Sequence, residues 1–291
     1  MDGILNVLKP PGMTSHDVVT YLRRVLKTKK AGHGGTLDPD AAGVLPVFIG
    51  SATRLLEFAV EGRKQYLVEI TMGQQTDTGD DSGTVIKTMP VPQLSKDKIL
   101  TVLQQFTGKI MQTPPMYSAL KVDGQKLYAL ARQGINVERE ARPIEIYKLE
   151  LLHQGDNSLT LAVECSKGTY IRVLGEDIAD ALGTCGTMSF LLRTQVAGFK
   201  IEDAFTLQEI TENPEKCLAE PLSAVSNIPQ LVLTARQAAR ITNGVRTTVA
   251  GTADGRYVLM GPAKEFLGIG SCSEEKIQAE KIFSRYIMQE E

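Results

Sequence analysis

The segment from Ala31 to Gly50 constrains this chain more than any other. It runs Gly32-His33-Gly34-Gly35-Thr36-Leu37-Asp38-Pro39, continues through Ala42-Gly43-Val44-Leu45 and ends in an apolar run at Gly50. Three glycines in four residues permit tight bends and close backbone approach, and a proline biases the residue before it away from helical dihedrals. Asp38 is therefore expected on a loop. Three readings fit such a loop: a turn with a capping aspartate, a phosphate cradle, or an active-site loop presenting one carboxylate. The cradle is disfavoured, because neither Gly-Lys-Ser/Thr nor a Gly-x-Gly-x-x-Gly helix opening follows.

A length of 291 residues suits one large domain or a large and a small one. No apolar span reaches the roughly 18 residues a membrane helix needs, and no basic segment followed by an apolar core opens the chain. A soluble, cytoplasmic protein is expected. Cys165, Cys185, Cys217 and Cys272 are scattered without a Cys-x-x-Cys pair, and His16, His33 and His153 are equally dispersed. Neither a disulfide framework nor a metal site is indicated, and no cofactor is expected. The net charge of -2 argues against a protein that coats nucleic acid. The basic run Arg23, Arg24, Lys27, Lys29 and Lys30 nevertheless ends beside the glycine loop, where a solvated helix face and a phosphate contact both fit.

Periodicity supplies a scaffold around the loop. Gly3 to Lys9 reads as a strand ended by Pro10-Pro11-Gly12, and Thr14 or Ser15 caps a helix burying Val18, Val19, Leu22 and Leu26. Tyr66, Val68, Ile70 and Met72 alternate along a half-buried strand. Clustered Asp and Gly from Gly73 to Gly83 read as turn chemistry, since the EF-hand pattern is absent. Ser95 caps a helix with Ile99, Val102, Leu103 and Phe106 inward. A short helix is expected over Lys126 to Gln133, and Glu145 to Leu152 pairs with Ser158 to Cys165 as a hairpin. Arg172 begins a helix closed by Gly183, a position poorly matched to the helix dipole unless an anion lies nearby. Thr206 with Glu209 and Thr234 with Gln237 form capping boxes, and Ser226 to Gln230 reads as a linker.

Several separated strings resemble one known family in order. They are Lys9-Pro10 with Gly12-Met13-Thr14-Ser15, the Gly32 to Leu45 segment, Arg63-Lys64-Gln65-Tyr66, Gly73 to Asp80, Met116 to Pro143, Cys165-Ser166-Lys167-Gly168-Thr169-Tyr170-Ile171-Arg172, and Ser189-Phe190-Leu191-Leu192-Arg193. Together they are similar to the motifs of the TruB family, the bacterial tRNA pseudouridine-55 synthases. The matches cover most of residues 3 to 200 and loosen beyond. One departure is Leu192, where relatives often carry the first of two arginines.

The resemblance implies an α+β pseudouridine synthase fold, with a central mixed, mostly antiparallel sheet flanked by helices and loops. It divides the chain into a catalytic domain at 1–228, with an RNA-contacting insertion at about 112–143, and a small β-rich, PUA-like RNA-binding domain at 229–291. The implied activity is isomerisation of a flipped-out uridine in the T-loop of tRNA. Asp38, Tyr66 and Arg172 are the implied catalytic residues, with Arg172 pairing with an ionised Asp38 and lowering its pKa. His33, Tyr66, Tyr170 and Leu191 are the implied base-binding residues, and Tyr66 has the further option of acting as a base. The implied partner is the T-loop and T-stem of tRNA, met by a monomer with no guide RNA, protein partner or membrane. A tRNA-folding role could accompany the chemistry.

Two readings of other classes compete. One is a non-catalytic RNA-binding or RNA-folding protein on the same scaffold, disfavoured by retention of Asp38, Tyr66 and Arg172. The other is a guide-dependent relative acting on ribosomal RNA. Such chains usually carry basic extensions, whereas this one ends in Gln289-Glu290-Glu291.

Overall fold

The computed structural model describes residues 1–122 and 124–284, so Gln289 to Glu291 lie outside the described residues. Among the described residues the largest unit is a ten-stranded sheet. Its main path runs Leu218–Ala219, Gly3–Lys9, Ala42–Ile49, Gly186–Val196, Lys64–Met72, Ser158–Cys165, Arg142–Gln154, Gly108–Gln112. Neighbours are antiparallel except at one place, where Leu192 and Arg193 lie parallel to Ala42 and Gly43. The sheet is thus mixed and mostly antiparallel, as expected, and that parallel junction sits at the exit of the Asp38 loop.

The Lys64–Met72 strand alternates as its sequence demands, with Tyr66, Val68, Ile70 and Met72 buried. On that face the helices Lys96–Gln105 and Ile171–Leu182 cover the sheet through Ile99, Leu103, Leu174 and Ile178. Gly183 ends the second helix at φ +90°, the left-handed closure the sequence anticipates. Thr14, not Ser15, caps the Ser15–Val25 helix, through a capping box with Asp17. Ser15 is thereby free to turn inward, where it is buried.

The insertion between Gln112 and Arg142 has little regular structure, and its helix is shorter than expected, Leu127–Ala131. Beyond residue 229 a five-stranded sheet and the Ala235–Thr242 helix form a smaller unit. Ser226 to Gln230 is no free linker. Ile228 and Val258 donate backbone hydrogen bonds to Val225 and Pro229, and Val258, Met260 and Ile269 share one apolar cluster with Ile4, Val44, Phe48 and Val196.

Candidate active site

Asp38 projects from a loop whose backbone is held from beneath. Ser15 Oγ donates to Leu37 O at 3.1 Å and accepts from Leu37 N at 2.9 Å. Lys9 Nζ donates to Pro39 O at 2.8 Å and Ala41 O at 2.7 Å. Arg193 donates from Nε to Val44 O at 2.8 Å, from Nη1 to Thr36 O at 3.0 Å and from Nη2 to Gly35 O at 3.1 Å. Lys9 and Arg193 have no solvent exposure. Buried polar groups are kept only where partners satisfy them, and here loop carbonyls do so.

The glycines divide the work. Ala31–His33 is a short strand, and a side chain on Gly34 would press on Ala59 and Phe48, so the early glycines serve packing. Gly35, at φ +127°, makes the bend. Gly43, at φ +115°, lets the loop exit pass so close to Arg193 that a Cβ would stand 2.2 Å from its carbonyl oxygen.

The implied pair is present. Arg172 Nε lies 3.0 Å from Asp38 Oδ2, and Nη2 donates to Oδ1 at 3.3 Å. The same guanidinium donates to Thr78 O and Tyr117 O, each at 2.8 Å. This resolves the dipole mismatch at the helix start, because the arginine head leaves the helix for an anion and two carbonyls. Arg172 is nearly buried, whereas the Asp38 side chain keeps 33 % of its exposure. Asp38 is therefore the more accessible partner of the pair.

The electrostatics differ from the sequence expectation. Burial pushes the Asp38 carboxyl above its ordinary range, the Asp80 carboxylate adds to the rise, and Arg172 opposes it without cancelling it. Asp80, whose Oδ2 is 3.7 Å from Arg172 Nε, belongs to the turn-rich stretch. Thr78 and Ser82 donate to its other oxygen, so turn chemistry holds a second carboxylate beside the pair. Burial pushes the Tyr66 phenol up to about 12, which disfavours it as a base at neutral pH.

Tyr66 and Leu191 are buried in one cluster with Leu37 and Ile171 beneath the loop. Tyr170, half-buried, immediately precedes the Arg172 helix. Its backbone is clamped by Gln112, which accepts from Tyr170 N at 2.8 Å and donates to Tyr170 O at 3.1 Å. His33 stands apart, on the strand before the loop. Burial, then the Arg193 charge, pushes its pKa down, and its Nδ1 is buried without a hydrogen-bond partner among the described residues. On the far side of Arg172 a groove of about 480 Å³ opens between Thr78 and the insertion residues Tyr117, Ile135 and Arg139.

Lys9, Ser15, Asp80, Gln112 and Arg193 carry roles that residue patterns did not assign. Lys9, Ser15, Asp80 and Arg193 lie inside strings that carried the family resemblance, the only signal that could have flagged them. No group of His, Cys, Asp and Glu among the described residues is arranged to hold a metal ion, and none of the described helices is long and apolar enough to cross a membrane.

Comparison with known proteins points to one family. The model for the TruB family pseudouridylate synthase N-terminal domain matches residues 23–171, and that for the tRNA pseudouridylate synthase B C-terminal domain matches residues 172–225. A tRNA pseudouridine synthase B of Heliobacterium modesticaldum is 43 % identical, covering 98 % of this chain and 96 % of its own. One of Caldanaerobacter subterraneus subsp. tengcongensis is 46 % identical, with 97 % and 99 % covered. Among solved structures, a Cbf5-Nop10-Gar1 complex contains a chain with TM-score 0.77 and 27 % identity, covering 98 % of this chain and 85 % of that one. An H/ACA RNP bound to a substrate RNA containing 2'-deoxyuridine gives TM-score 0.75 and 26 % identity, with 97 % and 85 % covered. From its motifs, fold and near full-length relatives, the chain belongs to the TruB family of pseudouridylate synthases.

Proposed function

We propose that this chain isomerises uridine to pseudouridine at position 55, in the T-loop of tRNA, acting alone on the RNA. The observation that carries the reading is one partly open carboxylate, Asp38, gripped at both oxygens by Arg172 on a loop strapped from behind. The reaction breaks the N1–C1′ glycosidic bond, turns the uracil and joins C5 to C1′. The hydrogen on C5 leaves as a proton and N1 gains one, so the product is an isomer of the substrate.

A uridine in a folded loop must first leave its stack, at a cost of a few kcal/mol. We assign Tyr170 and Tyr66 to stacking and Leu191 to the apolar wall that offsets this loss, with neutral His33 beside the loop. Asp38 is the essential group. Attack on the sugar carbon, addition to the base and removal of a sugar proton all require it as the carboxylate. Arg172 orients both oxygens and favours that form, while Tyr66, its proton retained, serves as a platform and hydrogen-bond donor rather than a base.

We further assign residues 1–228 to catalysis, the 112–143 insertion to gripping the T-stem and T-loop, and residues 229–291 to a PUA-like RNA contact. The insertion presents Tyr117, Tyr128, Lys126 and Arg132, a mixture suited to unstacked RNA. A cytoplasmic, guide-independent monomer is the form we assign. The support is that relatives named for tRNA are 43 % and 46 % identical, against 26–27 % for chains of the Cbf5-Nop10-Gar1 complex and the H/ACA RNP. The test is incubation of the chain alone with an unmodified tRNA transcript, measuring release of the uridine C5 hydrogen. Release is expected without additions; release only after guide RNA and protein partners are supplied would refute the reading.

A further inference from the structure

We propose that Arg193 is a positioning residue for this reaction, a buried three-point clamp that holds the Asp38 loop at its working height and keeps a positive charge behind it. The inference rests on the reading of Asp38 given above.

Three observations carry it. First, the partners bracket Asp38: Gly35 O and Thr36 O precede it, and Val44 O follows it. The acceptors lie on two separate stretches of backbone, and only a planar fork with several donors reaches all three at 2.8 to 3.1 Å. Lys9 fastens the intervening Pro39 and Ala41 carbonyls, so the two cations together pin the loop before and after the carboxylate. Secondly, Arg193 lies in register with Gly43 on one neighbouring strand and with Tyr66 on the other. A shift of this one residue therefore moves the loop exit and the base platform together.

Thirdly, the charge is unneutralised at contact range. Arg193 is fully buried and has no ion-pair partner among the described residues. A buried charge without a counter-ion is costly, and a residue needed only to fill the core would be better apolar. What the charge does act on is the site, where it favours the ionised forms of Asp38 and Tyr66 against their burial. The groups facing Asp38 are Arg172 on its helix, Asp80 on the turn, Lys9 on the first strand, and Tyr66 and Tyr170. Of the two arginines, Arg172 lines the groove beside the site, and Arg193 acts from behind with no exposure.

The experiment compares wild type, Arg193→Lys and Arg193→Met on an unmodified tRNA transcript, after circular dichroism and melting show each variant folded. Single-turnover conversion is expected to fall about 10²-fold in both, the scale of a misplaced catalytic group, with transcript affinity within about twofold of wild type. The two variants then separate the clamp from the charge. For Arg193→Met the acid limb of the pH–rate profile moves to higher pH, because Asp38 has lost a cation; for Arg193→Lys the limb stays in place. A folded variant of either kind that converts at the wild-type rate, or a loss confined to RNA affinity, overturns the proposal. So does failure of both variants to fold, which would assign Arg193 to the core alone. Wild type without any conversion would instead refute the function proposed above.

Discussion

At Asp38 two effects oppose each other, and their balance sets what a substitution does. Burial raises its pKa above the ordinary 3.8, and Arg172 lowers it by less. The stability this group contributes through its neutral form is thus present below 3.8 and lost as pH rises through the higher folded value. Asp38→Asn, which removes the charge and keeps the shape, is expected to melt at or above the wild-type temperature at pH 7 while conversion is abolished and tRNA still binds. A lowered melting temperature would show the ion pair to be net stabilising. Wild-type conversion itself should fall along an acid limb that lies above pH 3.8. Arg172→Lys keeps a charge but loses the fork that serves Asp38, Thr78 O and Tyr117 O. A fall in single-turnover rate of about 10²-fold is expected, and an unchanged rate would break the assigned pair. At this scale the arginine at a helix start asked for an anion, and the family resemblance implied that the anion is Asp38. The sequence could not show the sign of the shift, because burial of Asp38 arises from chain segments far away.

Among the elements, the strand and helix periods were readable because each depends on neighbours along the chain: Tyr66 to Met72 alternates, and Ile171 to Leu182 carries its own apolar stripe. The loop was harder. Its dihedrals are set by Gly35 and Gly43, but its position comes from Lys9, Ser15 and Arg193, whose partners are backbone groups with no side-chain signature. Buried Lys and Arg would be placed at the surface by composition alone. The parallel junction at Gly43 makes the strongest local test. Gly43→Ala would force a left-handed φ on a side chain that also meets Arg193 O, so a loss of about 1–3 kcal/mol is expected in denaturant melts. Stability equal to wild type would mean that the close approach carries no strain.

Over the whole molecule, the two largest sheets among the described residues have no clean gap between them. Val258, Met260 and Ile269 of the smaller sheet cover Val44 and Phe48, which lie on the strand leaving the Asp38 loop. A proline-containing connector resembles a linker in sequence, and only the tertiary contact shows otherwise. Truncation after Ile228 should therefore expose an apolar face and lower the melting temperature of what remains, each uncovered large side chain being worth about 1.5–3 kcal/mol. A fragment melting like the full chain would contradict the shared core. The central claim, that Asp38 on this clamped loop rearranges one uridine of tRNA, is tested most directly by nucleotide-resolution mapping of pseudouridine in an unmodified transcript treated with wild type or Asp38→Asn. The expected result is product at uridine 55 of the T-loop with wild type and none with the variant; product elsewhere in the tRNA, or conversion by Asp38→Asn, would contradict it.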